Sequence, residues 1–192
     1  MNATDLILIL VSYLVGSISW GLIFGFAHGL DLRRKDLPGG SGVFRQLGPF
    51  WGVLTAVLDA AKGAFVAWLA HSASPAAVPW MATAVVAGHC WPVFFGFSGG
   101  GGLAPSVGFF LVLRPQVTLA ALLVVAVVAL LYYPWWKRSG GVLGIYPLPF
   151  AALFGYAYAL WLLRDDAVGF RAMLGVTAVV LVRGLRLLQG KR

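Results

Sequence analysis

Acidic side chains are scarce in this chain. Six Asp and Glu residues stand against fourteen Lys and Arg, and five of the six fall in loops or near segment ends. That distribution leaves little basis for paired-carboxylate acid–base chemistry. Charge of either sign is also thin, at 10% of residues where a soluble domain carries about 25%. Too few polar side chains exist to cover a water-facing globule, so lipid must cover most of the surface. Cysteine occurs once, as Cys90, which excludes an internal disulfide. No Ser-His-Asp set and no cluster of metal-ligating residues is visible, and neither a metal nor an organic cofactor is expected.

Apolar residues are what the chain has in abundance, at 60% of the sequence with a mean hydropathy of +0.89. A membrane span needs roughly 20 mostly apolar residues. Residues 6–26, 50–70, 76–97, 117–136, 142–163 and 168–188 are long enough, and Leu103–Leu113 is too short to cross by itself. The expected fold is all-α: a polytopic membrane protein of six full-length helices plus one short re-entrant helix, a seven-helix bundle forming a single domain over residues 1–192. The first run has no basic flank and no small-residue cleavage site, so it reads as a retained span.

The basic excess fits topology better than nucleic-acid binding, and no nucleic-acid partner is expected. Arg33, Arg34, Lys35 and Arg45 lie in the first long loop, Lys137 and Arg138 after residues 117–136, and Arg183, Arg186, Lys191 and Arg192 near the end. Placing these clusters in the cytoplasm puts the N-terminus outside, the C-terminus inside and Asp165-Asp166 outside. The short segment and its successor then run in and back as a hairpin.

Three features carry possible chemistry. In the first loop, Gly39-Gly40-Ser41-Gly42 precedes Arg45, offering backbone N–H groups, a hydroxyl and a guanidinium to an anion. The same residues also read as a flexible basic loop that touches anionic lipid. Next, Gly88-His89 leads through Pro92-Val93-Phe94-Phe95-Gly96-Phe97 into Gly99, Gly100, Gly101 and Gly102. A glycine run opening a helix suits phosphate, because first-turn amides point at the anion and glycine permits close approach; it also reads as a tight turn. His89 is either a substrate-binding group or base, or a structural histidine. Third, Asp59 and Lys62, three residues apart, share one helix face. Charges in a bilayer pair and face inward, so a structural ion pair is expected, with a substrate contact by Lys62 as the alternative.

The order of these motifs resembles the bacterial acyl-phosphate:glycerol-3-phosphate acyltransferase family. The likeness runs through Gly16-Ser17-Ile18, Asp31-Leu32-Arg33, Arg45-Gln46-Leu47-Gly48, Trp51-Gly52-Val53 and Leu58-Asp59-Ala60-Ala61-Lys62-Gly63, and is most specific from Gly88-His89 to the glycines. It implies a multi-pass protein of the bacterial inner membrane with seven helices. It implies glycerol 3-phosphate and acyl phosphate as substrates, membrane lipids as surroundings, and phospholipid synthesis as the context. Ser41, Arg45, His89 and residues 99–102 would then hold phosphate. The departures are equally specific. Gly39-Gly40-Ser41-Gly42 stands where the family reads GATN, Gly101 stands where it has a phosphate-binding lysine, and Ser139-Gly140-Gly141 lacks the tyrosine and serine of its third motif. The family's C-terminal His and Asn have no counterpart near Arg183-Gly184-Leu185-Arg186. Losing the lysine removes a contact worth about 1.5–3 kcal/mol, for which Lys62, Lys137 or Arg138 could substitute. A non-catalytic homologue that binds a lipid phosphate or a protein partner is the competing expectation.

Overall fold

The structure, a computed structural model, describes residues 1–34 and 36–190. Lys35, Lys191 and Arg192, three of the basic residues used for topology, lie outside the described residues. All regular structure among the described residues is helical: α1 (Ala3–Gly16), α2 (Trp20–Ala27), α3 (Gly40–Leu47), α4 (Pro49–Leu69), α5 (Val78–Cys90), α6 (Leu103–Leu113), α7 (Pro115–Ser139), α8 (Pro147–Leu162) and α9 (Ala167–Leu188). Local sequence sets the boundaries. Asn2 and Asp5 form a reciprocal capping box on α1, and Asp166 caps α9 by accepting from the Gly169 amide. Pro49, Pro115 and Pro147 occupy first turns, where a missing N–H costs nothing.

Five helical runs are long and apolar enough to cross a membrane: Ala3–Ala27, Pro49–Ser72, Val78–Phe95, Pro115–Ser139 and Ala167–Leu188. The run over α1 and α2 is interrupted at Ser17–Ser19, and α5 ends at Cys90 before a 3-10 turn over Val93–Phe95. The segment expected at 142–163 is shorter than a full span, because Gly141, Leu143 and Gly144 take positive φ and the α-helix begins only at Pro147. At 1.5 Å per residue, the resulting sixteen-residue α8 is about 24 Å long.

Tight packing between α4 and α6 positions the site. A Cβ on Gly63 would strike the Pro105 carbonyl, and one on Gly108 would strike the Ala60 carbonyl. Small residues on both helices thus let the backbones touch, the usual means of close association where lipid gives no hydrophobic drive. Polar contacts tie the ends of the segments together. Asp5 accepts from Ser74 in the α4–α5 connection, and Arg114 pairs with Asp166 between α8 and α9. Arg33 donates to the Phe95 carbonyl, and the Arg45 guanidinium lies 4.5 Å from the Tyr146 ring centroid.

Candidate functional site

A cavity of about 550 Å³ opens between α3–α4 on one side and α7–α8 on the other, with α6 at its base. Its walls divide by chemistry. Gly39, Gly40 and Ser41 at the start of α3 meet Gly101 and Gly102 at the start of α6 around one polar end. Val57, Phe110, Leu122 and Val125 line a mostly apolar remainder, whose polar members are Thr118 and the mutually hydrogen-bonded Ser106 and Tyr156. Two helix N-termini therefore converge where the cavity is polar, and their first-turn amides lack intrahelical partners. Gly102, at φ +88°, turns the chain into α6 in a conformation only glycine adopts freely.

Asp59 and His89 also line the cavity, and both are buried. The expected ion pair is present, with Lys62 Nζ 2.9 Å from Asp59 Oδ1. Lys62 does more than pair. Its ammonium donates to the carbonyls of Gly16 at 2.9 Å and Ile18 at 2.7 Å, and stands 3.0 Å from His89 Nδ1. The break between α1 and α2 exposes those carbonyls, and Lys62 satisfies them. Fully occupied in this way, Lys62 is not among the cavity-lining residues. Both Asp59 oxygens are shielded from solvent, with no hydrogen-bond partner among the described residues; Oδ1 faces the Lys62 ammonium.

The glycine run is held from two sides. Gly99 and Gly100 donate to the Cys90 and His89 carbonyls at 3.2 and 3.0 Å. From α9, Arg183 Nη2 donates to the Gly99 carbonyl at 2.6 Å and Nε to the Gly100 carbonyl at 3.2 Å. Gly99 and Gly100 are consequently buried behind the cavity, whereas Gly101 and Gly102 form its wall. A Cβ on Gly101 would meet nothing within 4 Å.

Of the residues expected to bind phosphate, Ser41, His89, Gly101 and Gly102 line the cavity together. Arg45 lies one helical turn beyond Ser41, forked onto Asp36 with both nitrogen–oxygen distances at 2.7 Å. That carboxylate raises the guanidinium further above its ordinary value, so Arg45 is a permanent cation outside the polar end. Lys137 and Arg138 are exposed at the end of α7, and neither lines the cavity. The residue that sequence reasoning misplaced is Arg183. It was grouped with the terminal basic cluster, but it is 2% exposed inside the bundle. A charge within an apolar span was the available signal.

A bundle of apolar helices with a cleft polar at one end and apolar along the rest defines a membrane protein that handles an amphiphile with an anionic head. The comparisons agree. The family model described as Glycerol-3-phosphate acyltransferase matches residues 6–186. The chain is 35% identical over 190 residues to Glycerol-3-phosphate acyltransferase 2 of Deinococcus radiodurans, covering 97% of this chain and 95% of that protein. It is 33% identical over 173 residues to the Glycerol-3-phosphate acyltransferase of Neisseria gonorrhoeae, covering 85% and 86%. The crystal structure of PlsY (YgiH), an integral membrane glycerol 3-phosphate acyltransferase in its glycerol 3-phosphate form, superposes with a TM-score of 0.80 at 30% identity, covering 99% of this chain and 94% of that one. Its lysophosphatidic acid form gives 0.77 at 28% identity. The chain belongs to the glycerol-3-phosphate acyltransferase family.

Proposed function

We propose that this protein transfers an acyl group from an acyl phosphate to glycerol 3-phosphate, giving lysophosphatidic acid for phospholipid synthesis. The observation that carries this reading is the divided cavity. Its end formed by Ser41, His89, Gly101 and Gly102 suits a phosphate, and its apolar length suits an acyl chain. In the reaction, a glycerol hydroxyl attacks the acyl carbonyl. A carbon–oxygen ester bond forms, the bond to the phosphate oxygen breaks, and the hydroxyl proton leaves with inorganic phosphate. Amides at the starts of α3 and α6 hold the phosphate. Asp59 acts indirectly, holding the Lys62 ammonium that contacts His89. Arg45 exchanges Asp36 for the second anionic group, since an exposed ion pair is worth only about 0–1 kcal/mol.

Seven apolar segments (α1 with α2, then α4 to α9 singly, with α6 and α8 the short ones) alternate in direction in this reading, the eleven-residue α6 being too short to span without the loop that precedes it. Its support lies in the end contacts. Asp5–Ser74, Arg33–Phe95, Arg45–Tyr146 and Arg114–Asp166 each join connections an even number of segments apart. Alternating direction requires that. The cytoplasmic bias of basic residues supports putting the end with Arg33, Arg34 and Arg45 inside, and with it the C-terminus inside and the N-terminus outside.

A second reading, a non-catalytic homologue that binds a lipid phosphate, is favoured by one observation: with glycine at 101, no Lys or Arg among the described residues lines the cavity. Phosphate release and lipid product, measured on purified protein given palmitoyl phosphate and glycerol 3-phosphate, decide between the two. Stoichiometric phosphate and lysophosphatidic acid establish the enzyme. Binding of lysophosphatidic acid without turnover establishes the homologue.

A further inference from the structure

Arg183 is the largest fully buried side chain among the described residues, and it sits in the apolar helix α9. A cation there is expensive unless it is paired or serves a site. No carboxylate among the described residues forms an ion pair with it. Its fork is spent instead on two successive carbonyls, those of Gly99 and Gly100. Carbonyl dipoles solvate a guanidinium but leave its charge uncancelled. A net positive charge thus stands directly behind the loop whose next residues, Gly101 and Gly102, form the polar wall of the cavity. Arg186, one turn further along α9, lies 5.6 Å from the Trp91 ring centroid on the same side.

Geometry adds a second effect. The amides of Gly99 and Gly100 are tied to the Cys90 and His89 carbonyls, and their own carbonyls are tied to Arg183. Every polar backbone group of these two residues is thereby fixed. The following amides, which open α6, are held against the cavity by a loop that cannot turn away.

We propose that Arg183 is the positioning residue of the phosphate cradle, fixing the glycine loop through two carbonyls and supplying from behind it the positive charge that the glycine run lacks. The proposal rests on the cavity being the phosphate site of an acyltransferase, and it deepens that reading. Arg183 itself does not touch substrate.

The test compares full-length wild type with Arg183→Gln, Arg183→Lys and Arg183→Gln/Gly101→Lys, each checked by thermal unfolding in detergent. Arg183→Gln lowers kcat/KM by about tenfold or more, chiefly through KM for palmitoyl phosphate or glycerol 3-phosphate, at an unfolding midpoint near that of wild type. Arg183→Lys keeps the charge but not the planar fork, so its kcat/KM falls between those of wild type and Arg183→Gln. Gly101→Lys restores the Gln variant, since position 101 has open space for the new side chain. A folded Arg183→Gln with wild-type kcat/KM overturns the proposal, and so does a double variant that folds without recovery. Should Arg183→Gln fail to fold, Arg183→Lys decides, and a folded Lys variant with wild-type kcat/KM overturns the positioning role. If wild type shows no turnover, the acyltransferase reading fails separately. The proposal then stands if lysophosphatidic acid raises the unfolding midpoint of wild type and Arg183→Lys more than that of Arg183→Gln, and falls if all three shift alike.

Discussion

Lys62 Nζ lies 3.0 Å from Nδ1 of His89. An ammonium has only protons to offer, so Nδ1 is the acceptor and the neutral imidazole carries its proton on Nε2. Nε2 is the ring atom beside Gly100, so the proton points at the glycine end of the cavity. His89 is thereby set as a donor toward an anion rather than as a base.

Nitrogen-15 NMR of imidazole-labelled protein should show the Nε2–H tautomer near neutral pH. His89→Gln, whose amide reaches the same place, should keep more turnover than His89→Ala. A spectrum dominated by Nδ1–H would contradict the assignment of Lys62 as donor.

Lys62 should matter more to folding than its partner. Removing Asp59 by Asp59→Asn leaves the ammonium with the Gly16 and Ile18 carbonyls, at an expected cost of about 1–3 kcal/mol. Lys62→Met leaves a buried carboxylate and two carbonyls without a donor, at about 3–5 kcal/mol. Unfolding midpoints in detergent rank the two, and equal losses would mean that the α1–α2 break does not depend on Lys62.

Gly101→Lys in the wild-type background should raise acyltransferase activity, because its Cβ meets no heavy atom within 4 Å and the new ammonium joins a site of the right sign. Initial rates at subsaturating palmitoyl phosphate make the comparison. A folded variant with lower affinity for acyl phosphate would place the phosphate elsewhere.

Arg45→Ala should weaken the binding of one phosphate-bearing substrate. A charge-assisted contact of about 1.5–3 kcal/mol corresponds to a loss of roughly tenfold to 150-fold in kcat/KM. Unfolding should barely move, since Arg45 is bonded to Asp36 and stacked on Tyr146 at the exposed rim. Turnover unchanged by this substitution would remove Arg45 from the site.

The Arg114–Asp166 link gives an acid-side signature. Arg114 holds the Asp166 carboxyl below its ordinary value, helped by the Gly169 amide. A carboxyl lowered by folding contributes stability above its unfolded value and loses it as pH falls through the lower native one. Stability should therefore drop with acid across that window in wild type and drop less steeply in Asp166→Asn. Parallel curves for the two would show the link absent in the membrane.

Much of this was legible in the chain. Hydropathy located the segments, and Arg114-Pro115 marked the turn so clearly that α6 spans Leu103–Leu113 as expected. The Asp59–Lys62 pair followed from helical spacing alone. What the pattern could not carry was long range. Nothing local says that Lys62 reaches back to Gly16 or across to His89, residues brought together only by packing. Arg183 was misplaced for a related reason: basic residues near a chain end fit a topology rule, and that rule is blind to which face of α9 each one occupies. The late start of α8 needed the positive φ of Leu143, which no propensity assigns to leucine.

The cavity between α3–α4 and α7–α8 also sets the units in which its substrates count. An acyl donor that enters along apolar walls is supplied by its mole fraction in the bilayer, whereas glycerol 3-phosphate is supplied by its molarity in water. Diluting the membrane with inert lipid should slow the enzyme at constant bulk composition, while diluting the vesicles should not.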